Sequence, residues 1–264
     1  VKMTVHRMST IDDELRDRYD EASPPLLAIS KQLQRSITRQ LQDQRRGGKQ
    51  TGLYMGRRLD IHSLPRNDGR VFSKMSLPNE TPELALALLL DESGSMGCGS
   101  RATYARAYAI ILYDFCQSLG IPVMVYGHSA YSGVELYSYA EFDSIDKLDR
   151  YRLMDISARG NNRDGAALRF VAEQLAKRPE DIRLLILVSD GQPADSGYYG
   201  TAAEEDLRVI KTEYRRKGIC FVAAAIGDDK DSIERIYGDA YMDISDLHTL
   251  PITLTNVVKR FIRT

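Results

Sequence analysis

The sequence predicts an α/β fold: a doubly wound, mostly parallel sheet with one antiparallel strand and helices on both faces, preceded by a helical extension. Three observations predict it. From about residue 82, apolar runs of strand length alternate with stretches of helical periodicity, the pattern of a parallel sheet built from strand–helix–strand units. Two runs, residues 84–90 and 182–188, are dominated by Leu, Ile, Val and Ala, as strands covered on both faces must be. Both lead into aspartate, Asp91 directly and Asp190 after Ser189. Ligands of open α/β sheets sit outside the carboxyl ends of the strands, so these two carboxylates are expected in one crevice.

Taken in order, residues 1–80 read as a helical and irregular extension and residues 82–264 as the α/β domain. In the extension, residues 11–19 have helical character, which Pro24-Pro25 is expected to interrupt. Beyond the prolines, Leu26, Ile29, Leu33, Ile37 and Leu41 repeat at three- and four-residue spacing. That is one apolar stripe of an amphipathic helix, with Lys31, Arg35, Arg39, Arg45 and Arg46 on its other face. Gly47-Gly48 ends it, and residues 51–80, with their Gly, Pro and Asn, form a connector. In the α/β domain the strands are expected at 84–90, 121–126, 133–142, 182–188, 219–226 and, weakly, 240–244. The helices are expected at 104–119, 166–176, 204–216, 232–237 and 250–262. The link 127–133 is too short for a crossover, so the strands it joins form an antiparallel hairpin.

Composition narrows the function. With 43% apolar residues the chain can build a core. Lys and Arg number 36 against 37 Asp and Glu, a balance that gives no general attraction to nucleic acid or to an anionic membrane. The three cysteines, Cys98, Cys116 and Cys220, are odd in number and form no C-x-x-C pair, which points to a reducing, cytoplasmic setting. No apolar stretch of signal-peptide length opens the sequence, and the longest apolar run is too short to span a bilayer. The chain opens on Val1 without an initiator Met, as a piece of a longer protein does.

The chemistry concentrates in Asp91-Glu92-Ser93-Gly94-Ser95. A hard divalent cation such as Mg²⁺ takes oxygen ligands in octahedral geometry. Alternate residues of a tight loop can face one centre, which makes the hydroxyls of Ser93 and Ser95 direct ligands. Asp91 supplies negative charge, directly or through water, and Gly94 lets the backbone bend around the ion.

Here the residues resemble a family. The loop is similar to the D-x-S-x-S element of the metal-ion-dependent adhesion site in von Willebrand factor A, or integrin inserted-type, domains. Val188-Ser189-Asp190-Gly191 resembles the third element of that site, in which an Asp completes the shell, usually through water. The second element is normally T-x-x-G-x-A-L, and this chain reads Asn162-Arg163-Asp164-Gly165-Ala166-Ala167-Leu168. Asn162 therefore stands at the Thr position, where its amide oxygen remains a suitable donor for a hard cation. The resemblance covers roughly residues 82–264. Within the family, these motifs together with Gly56-Arg57-Arg58-Leu59-Asp60 resemble the accessory subunits of cobalt chelatase and the activation proteins of nitric oxide reductase. It implies a metal set of Asp91, Ser93, Ser95, Asn162 and Asp190 holding Mg²⁺, with Mn²⁺ or Ca²⁺ as alternatives. It also implies a non-enzymatic role. The ion would bind an exposed Asp or Glu of a protein partner, such as a MoxR-type AAA+ ATPase acting on a client metalloenzyme. Two other readings remain open: a subunit of a cobalt or magnesium chelatase complex, and a structural domain with a vestigial site.

Other residues carry weaker signals. Asp164 reads as the N-cap of the following helix or as an extra carboxylate at the ion. His128 is weighed as a rim residue of the crevice or as an ordinary loop residue, and Cys98 as a small residue in a tight turn or a regulatory thiol. Tyr198-Tyr199 suits protein recognition beside the site. The lysine- and arginine-bearing face of the 31–46 helix is expected to be solvated. A haloacid-dehalogenase reading of Asp91 fails because the second Asp it needs is Ser93. No histidine has a triad context, and no G-x-x-x-x-G-K-[ST] motif occurs.

Overall fold

The structure, a computed structural model, describes residues 2–45, 48–53, 58–66, 71–76, 83–144, 146–191, 193–227 and 230–262. In chain order the elements are β1 (Met3–His6), α1 (Asp13–Arg45), β2 (Gly48–Leu53), β3 (Arg58–Leu59), β4 (Phe72–Ser76) and β5 (Leu84–Asp91). There follow α2 (Arg101–Leu119), β6 (Val123–Ala130), β7 (Val134–Ala140), α3 (Asp149–Arg152), α4 (Asp164–Ala176) and β8 (Ile182–Ser189). The chain closes with β9 (Ala194–Asp195), β10 (Tyr198–Tyr199), α5 (Gly200–Arg216), β11 (Ile219–Ala225), α6 (Lys230–Tyr237), β12 (Tyr241–Asp243) and α7 (Leu250–Ile262).

The chain divides into two units, one of Val1–Gln34 with Glu83–Thr264 and one of Arg35–Pro82. The larger unit holds a seven-stranded sheet ordered β1-β7-β6-β5-β8-β11-β12. Strands β6, β5, β8, β11 and β12 are mutually parallel, and β6 and β7 form the antiparallel hairpin that the short link predicts. The turn is shorter than expected, because β6 continues through Gly127 and His128 to Ala130. The smaller unit holds an antiparallel sheet ordered β2-β4-β3. In it Asp60 is buried and accepts a hydrogen bond from Ser63 Oγ at 2.9 Å.

Residues 84–91 form a strand because every side chain in the run is buried. Ala87 and Leu89 share one face with Leu185, Leu187, Phe221 and Ala223, and α4, α5 and α6 cover that face through Leu168, Val171, Leu207, Ile210 and Ile233. The alternate residues Leu86, Leu88 and Leu90 turn to the other face, where α2 crosses β5 and β6. Burial on both faces removes any alternation from the sequence, as parallel strands require.

Residues 1–34 depart from the expected extension. Met3–His6 adds an edge strand parallel to β7, pairing Met3 with Val134 and His6 with Tyr137. Asp12 Oδ1 caps α1 by accepting the Leu15 N–H at 2.9 Å. The helix then runs through Pro24-Pro25 without a break. The prolines remove the donors for the carbonyls of Asp20 and Glu21. All four residues lie on the exposed face, where water can bond those carbonyls. Of the predicted apolar stripe in this unit, Ile29 and Leu33 are buried, and Ser30 Oγ donates to Asp114 Oδ2 of α2 at 2.6 Å. Leu41 and Arg46 lie outside the residues whose side chains are described.

Arg7 and Arg152 lock β1 to the α3 region. Arg7 donates to Ser138 Oγ and Asp149 Oδ1, both at 2.9 Å, and the buried Arg152 donates to Asp146 at 2.7 and 2.8 Å. The Arg152 guanidinium draws the Asp146 carboxyl down to about 2, with Arg7 adding to the effect. A depressed folded-state pKa contributes stability above the unfolded value, and that stability is lost as pH falls from about 4 to about 2. Asp146→Asn is therefore expected to flatten the decline of urea-unfolding stability across that window. An unchanged pH profile would show that Asp146 is not coupled to folding.

Candidate metal centre

The five residues expected at the site come together at the carboxyl ends of the neighbouring strands β5 and β8. Strand β5 delivers Asp91, 1% exposed, at its last position. The chain then leaves the sheet through the 3-10 turns of Gly94–Ser100, kinked at Cys98 and Gly99. Gly99 at φ +56° and Ser100 at φ +63° make the reversal that starts α2 at Arg101.

Asp91 organises the loop. Its Oδ1 accepts the Ser93 N–H at 2.8 Å. Its Oδ2 accepts from Asn162 Nδ2 at 2.7 Å and from Ser189 Oγ at 3.0 Å. The Ser93 and Ser95 hydroxyl oxygens lie 2.9 Å apart, and Ser95 Oγ donates to Asp190 Oδ1 at 2.9 Å. Asp91, Ser93, Ser95, Asn162 and Asp190 therefore form one connected network of oxygen-bearing side chains.

Backbone pairing places Asn162. Gly94 N–H donates to the Gly160 carbonyl at 2.7 Å and Arg159 N–H to the Glu92 carbonyl at 2.7 Å. Asn161 bridges Ala130 at the end of β6, and Asn162 bridges Ala194 of β9. The segment is thus stitched on one side to the loop and on both flanks to strand ends. Asn162 is 3% exposed, and its Oδ1 has no hydrogen-bond partner. An unpaired buried amide oxygen costs about 1–3 kcal/mol, which a cation ligated there would offset. Among the described residues no group of three His, Cys, Asp or Glu side chains is arranged to hold a metal. A cation here depends on the serine hydroxyls and the asparagine oxygen, a donor set suited to a hard ion.

The electrostatics are those of a site short of positive charge. Burial pushes the Asp91 carboxyl up to about 6, the Asp164 and Asp190 carboxylates add to the shift, and His128 opposes it. Its own hydrogen-bond donors are all neutral groups. Asp190 is compensated: Arg101 Nη1 lies 2.7 Å from its Oδ2. Sequence reasoning passed over Arg101, since one cation after a glycine-rich loop carries no motif.

Three weaker expectations are revised. Asp164 does not cap α4. It is the first residue of the helix, and its carboxylate lies 3.2 Å from His128 Nε2, in ion-pair contact but outside hydrogen-bond geometry. His128 is neither rim nor loop but a fully buried residue of β6, paired in register with Asp91. Burial disfavours its charged form, yet Asp164, Asp91 and Glu92 outweigh that and raise its pKa. Tyr198 is half-buried, donating to Asp206 Oδ2 at 2.9 Å, whereas Tyr199 is exposed. Cys98 is exposed within the kinked turn, and Cys116 is buried.

Glu92 was also missed as more than a spacer. It is 1% exposed, accepts from Arg159 Nε at 2.5 Å and from the Tyr139 hydroxyl, and so anchors the loop to β7. Burial pushes its carboxyl up to about 7, with Tyr139 and Arg159 opposing. Its side chain passes over Gly127, where a Cβ would lie 2.1 Å from Glu92 Oε1.

A family model described as the cobalamin biosynthesis protein CobT VWA domain matches residues 150–263, a span that includes Asn162 and Asp190. The vWF domain of the type V pili tip protein Mfa5 from Porphyromonas gingivalis has the same fold. Its TM-score is 0.50 at 11% identity, over 70% of this chain and 96% of that one. The chain carries a von Willebrand factor A domain. This vWA domain resembles those of the CobT and NorD proteins. NorD of Brucella melitensis is 25% identical over 177 residues, 66% of this chain and 25% of NorD. YojO of Bacillus subtilis is 22% identical over 272 residues, 96% of this chain and 42% of YojO. The chain thus spans less than half the length of these relatives. Of the remaining motif in the resemblance, Gly56-Arg57-Arg58-Leu59-Asp60, the first two residues lie outside the described residues, and Arg58–Leu59 is β3. No described helix is long and apolar enough to cross a membrane.

Proposed function

We propose that this vWA domain is a metal-dependent protein-binding module. Ser93 and Ser95 hold Mg²⁺, or Mn²⁺ or Ca²⁺ in its place, with Asn162, Asp91 and Asp190 in support. The observation that carries this reading is the buried, partnerless Asn162 Oδ1 within a network of oxygen donors. When bound, the ion supplies a coordination position for an Asp or Glu side chain of the partner. The chain's own residues prepare the place: Asp91 fixes the loop through the Ser93 N–H, and Gly94 keeps the backbone against Gly160. Tyr131 and Tyr199, 63% and 69% exposed, flank the Asn161-Asn162 segment and offer the partner aromatic contact.

The role is non-catalytic and cytoplasmic. The similarity to NorD and to the CobT domain supports a MoxR-type AAA+ ATPase as the partner and a metalloenzyme as its client. The family match favours one variant of this reading, in which the domain serves inside a cobalt or magnesium chelatase complex that inserts metal into a tetrapyrrole. Calorimetry tests the module. One Mg²⁺ site is expected, and the affinity for the ATPase should fall at least tenfold in EDTA. Equal affinity in Mg²⁺ and EDTA would overturn the proposal and leave a vestigial site.

A further inference from the structure

We propose that Arg101 is a built-in counter-cation for Asp190 that competes with the ion and sets how tightly the centre holds it. The proposal rests on the metal-binding reading above. Arg101 Nη1 lies 2.7 Å from Asp190 Oδ2, and Asp190 Oδ1 is engaged by the Ser95 hydroxyl, so both carboxylate oxygens are occupied. Asp190 is 4% exposed and the Arg101 side chain 18%, which shields the pair from water.

Two features show that the guanidinium is placed there by the fold. Arg101 is the first residue of the 19-residue helix α2, whose first turn carries no acidic residue. A cation at a helix N-terminus opposes the macrodipole, so this position is unfavourable for Arg unless an anion receives it. The second feature is Gly227, which turns the chain beyond the end of β11 at φ +88°. A Cβ at Gly227 would lie 2.5 Å from Arg101 Nε and 2.9 Å from its Cζ. Only glycine both adopts that turn readily and leaves room for the guanidinium.

The consequence concerns the balance between ion and partner. With its charge shared with Arg101, Asp190 gives less to an ion than an unpaired carboxylate does. The ion is held more weakly, and less of its charge is neutralised within the domain. More remains for the carboxylate of the partner. Asp91, whose donors are neutral, and Asp190, paired with a cation, thus play different parts at one centre.

The test is calorimetric titration of MgCl₂ into the wild-type chain, Arg101→Gln, Arg101→Lys and Gly227→Ala at fixed ionic strength. Thermal unfolding in EDTA checks that each variant is folded. Arg101→Gln is expected to bind Mg²⁺ about tenfold or more tightly, the order of effect of removing one like charge near a divalent site. Arg101→Lys, which keeps the charge, should stay near the wild type. Gly227→Ala, which pushes the guanidinium aside, should tighten binding by a smaller factor, and it serves as the probe if Arg101→Gln does not fold. A merely structural role for Arg101 predicts the opposite sign, a loss of affinity. Binding by Arg101→Gln that equals or falls below the wild type overturns the proposal and leaves the metal reading intact. Equal tightening by Arg101→Lys also overturns it, because the charge is then not the cause. Mg²⁺ binding by Arg101→Gln but not by the wild type supports it in its strongest form. Absence of binding by every variant overturns this proposal and the metal reading together.

Discussion

Asp91→Asn is expected to abolish the stabilisation by Mg²⁺ while leaving the metal-free domain at least as stable as the wild type. Asp91 is a buried carboxylate whose hydrogen-bond donors, Ser93 N–H, Asn162 Nδ2 and Ser189 Oγ, are all uncharged. Its acidic neighbours Asp164 and Asp190 add repulsion. His128 offsets that repulsion only in part, and a buried charge so weakly compensated weighs against folding. Its neutral isostere keeps the shape and an oxygen for the Ser93 N–H. In the wild type, a ligand at about a hundred times its Kd stabilises by ~2.7 kcal/mol. For a domain of this size that is a rise of roughly 5–10 °C in Tm. Thermal unfolding with and without saturating Mg²⁺ reads both halves. A wild-type Tm that ignores Mg²⁺, or an Asp91→Asn variant that responds as the wild type does, would remove Asp91 from any metal centre.

The second large effect is expected at Gly127, which no motif singles out. Gly127→Ala places a methyl group 2.1 Å from Glu92 Oε1, 2.6 Å from its Cδ and 3.0 Å from Tyr139 Cε2. The Glu92 carboxylate cannot swing away freely, because it is buried and held by Arg159 and Tyr139. Displacing it leaves Arg159 without one of its carboxylates and breaks a buried charge pair, a loss of about 3 kcal/mol. Relief of backbone entropy on replacing glycine returns only ~0.5 kcal/mol. Urea denaturation of Gly127→Ala should show that loss. In a Glu92→Ala background the same substitution should be nearly neutral, since the two residues are in contact and their effects do not add. Additive losses in the double variant would place the cause of destabilisation elsewhere.

The parts of the fold that were legible in the sequence are those governed by local pattern. Strands β5 and β8 announce themselves because burial on both faces demands unbroken apolar runs, and the β6–β7 hairpin follows from a link too short to cross the sheet. The convergence of Asp91, Ser93, Ser95 and Asp190 was legible because residues of these types stand at fixed spacing where two apolar strands end. What escaped was set by distant partners. Met3–His6 is a short edge strand whose two apolar residues, Met3 and Val5, stay exposed, so its four residues give too little signal, and β7 decides its conformation. Pro24-Pro25 ordinarily break a helix, but packing of Leu15, Tyr19, Ile29 and Leu33 holds α1 together around them. At the site, Asp164 reads locally as a cap. Its carboxylate is instead turned inward to His128, a residue 36 positions earlier in the sequence that only the sheet register brings to it. Arg101, His128 and Glu92 matter through contacts of the same long range, and their local sequence carries no sign of it.

The pairing of β1 with β7 has a consequence for how the chain is made. Met3 meets Val134, and His6 meets Tyr137. On the ribosome β1 emerges long before β7, the strand that receives it. It must remain unpaired while β5, α2 and β6 are synthesised. The outer edge of the sheet can therefore close only once β7 has been made, and the loop drawn shut in that step is among the longest in the domain. The shortness of the strand, Met3–His6 alone, suits that order, since a longer apolar strand left open for that time would invite association with neighbouring chains.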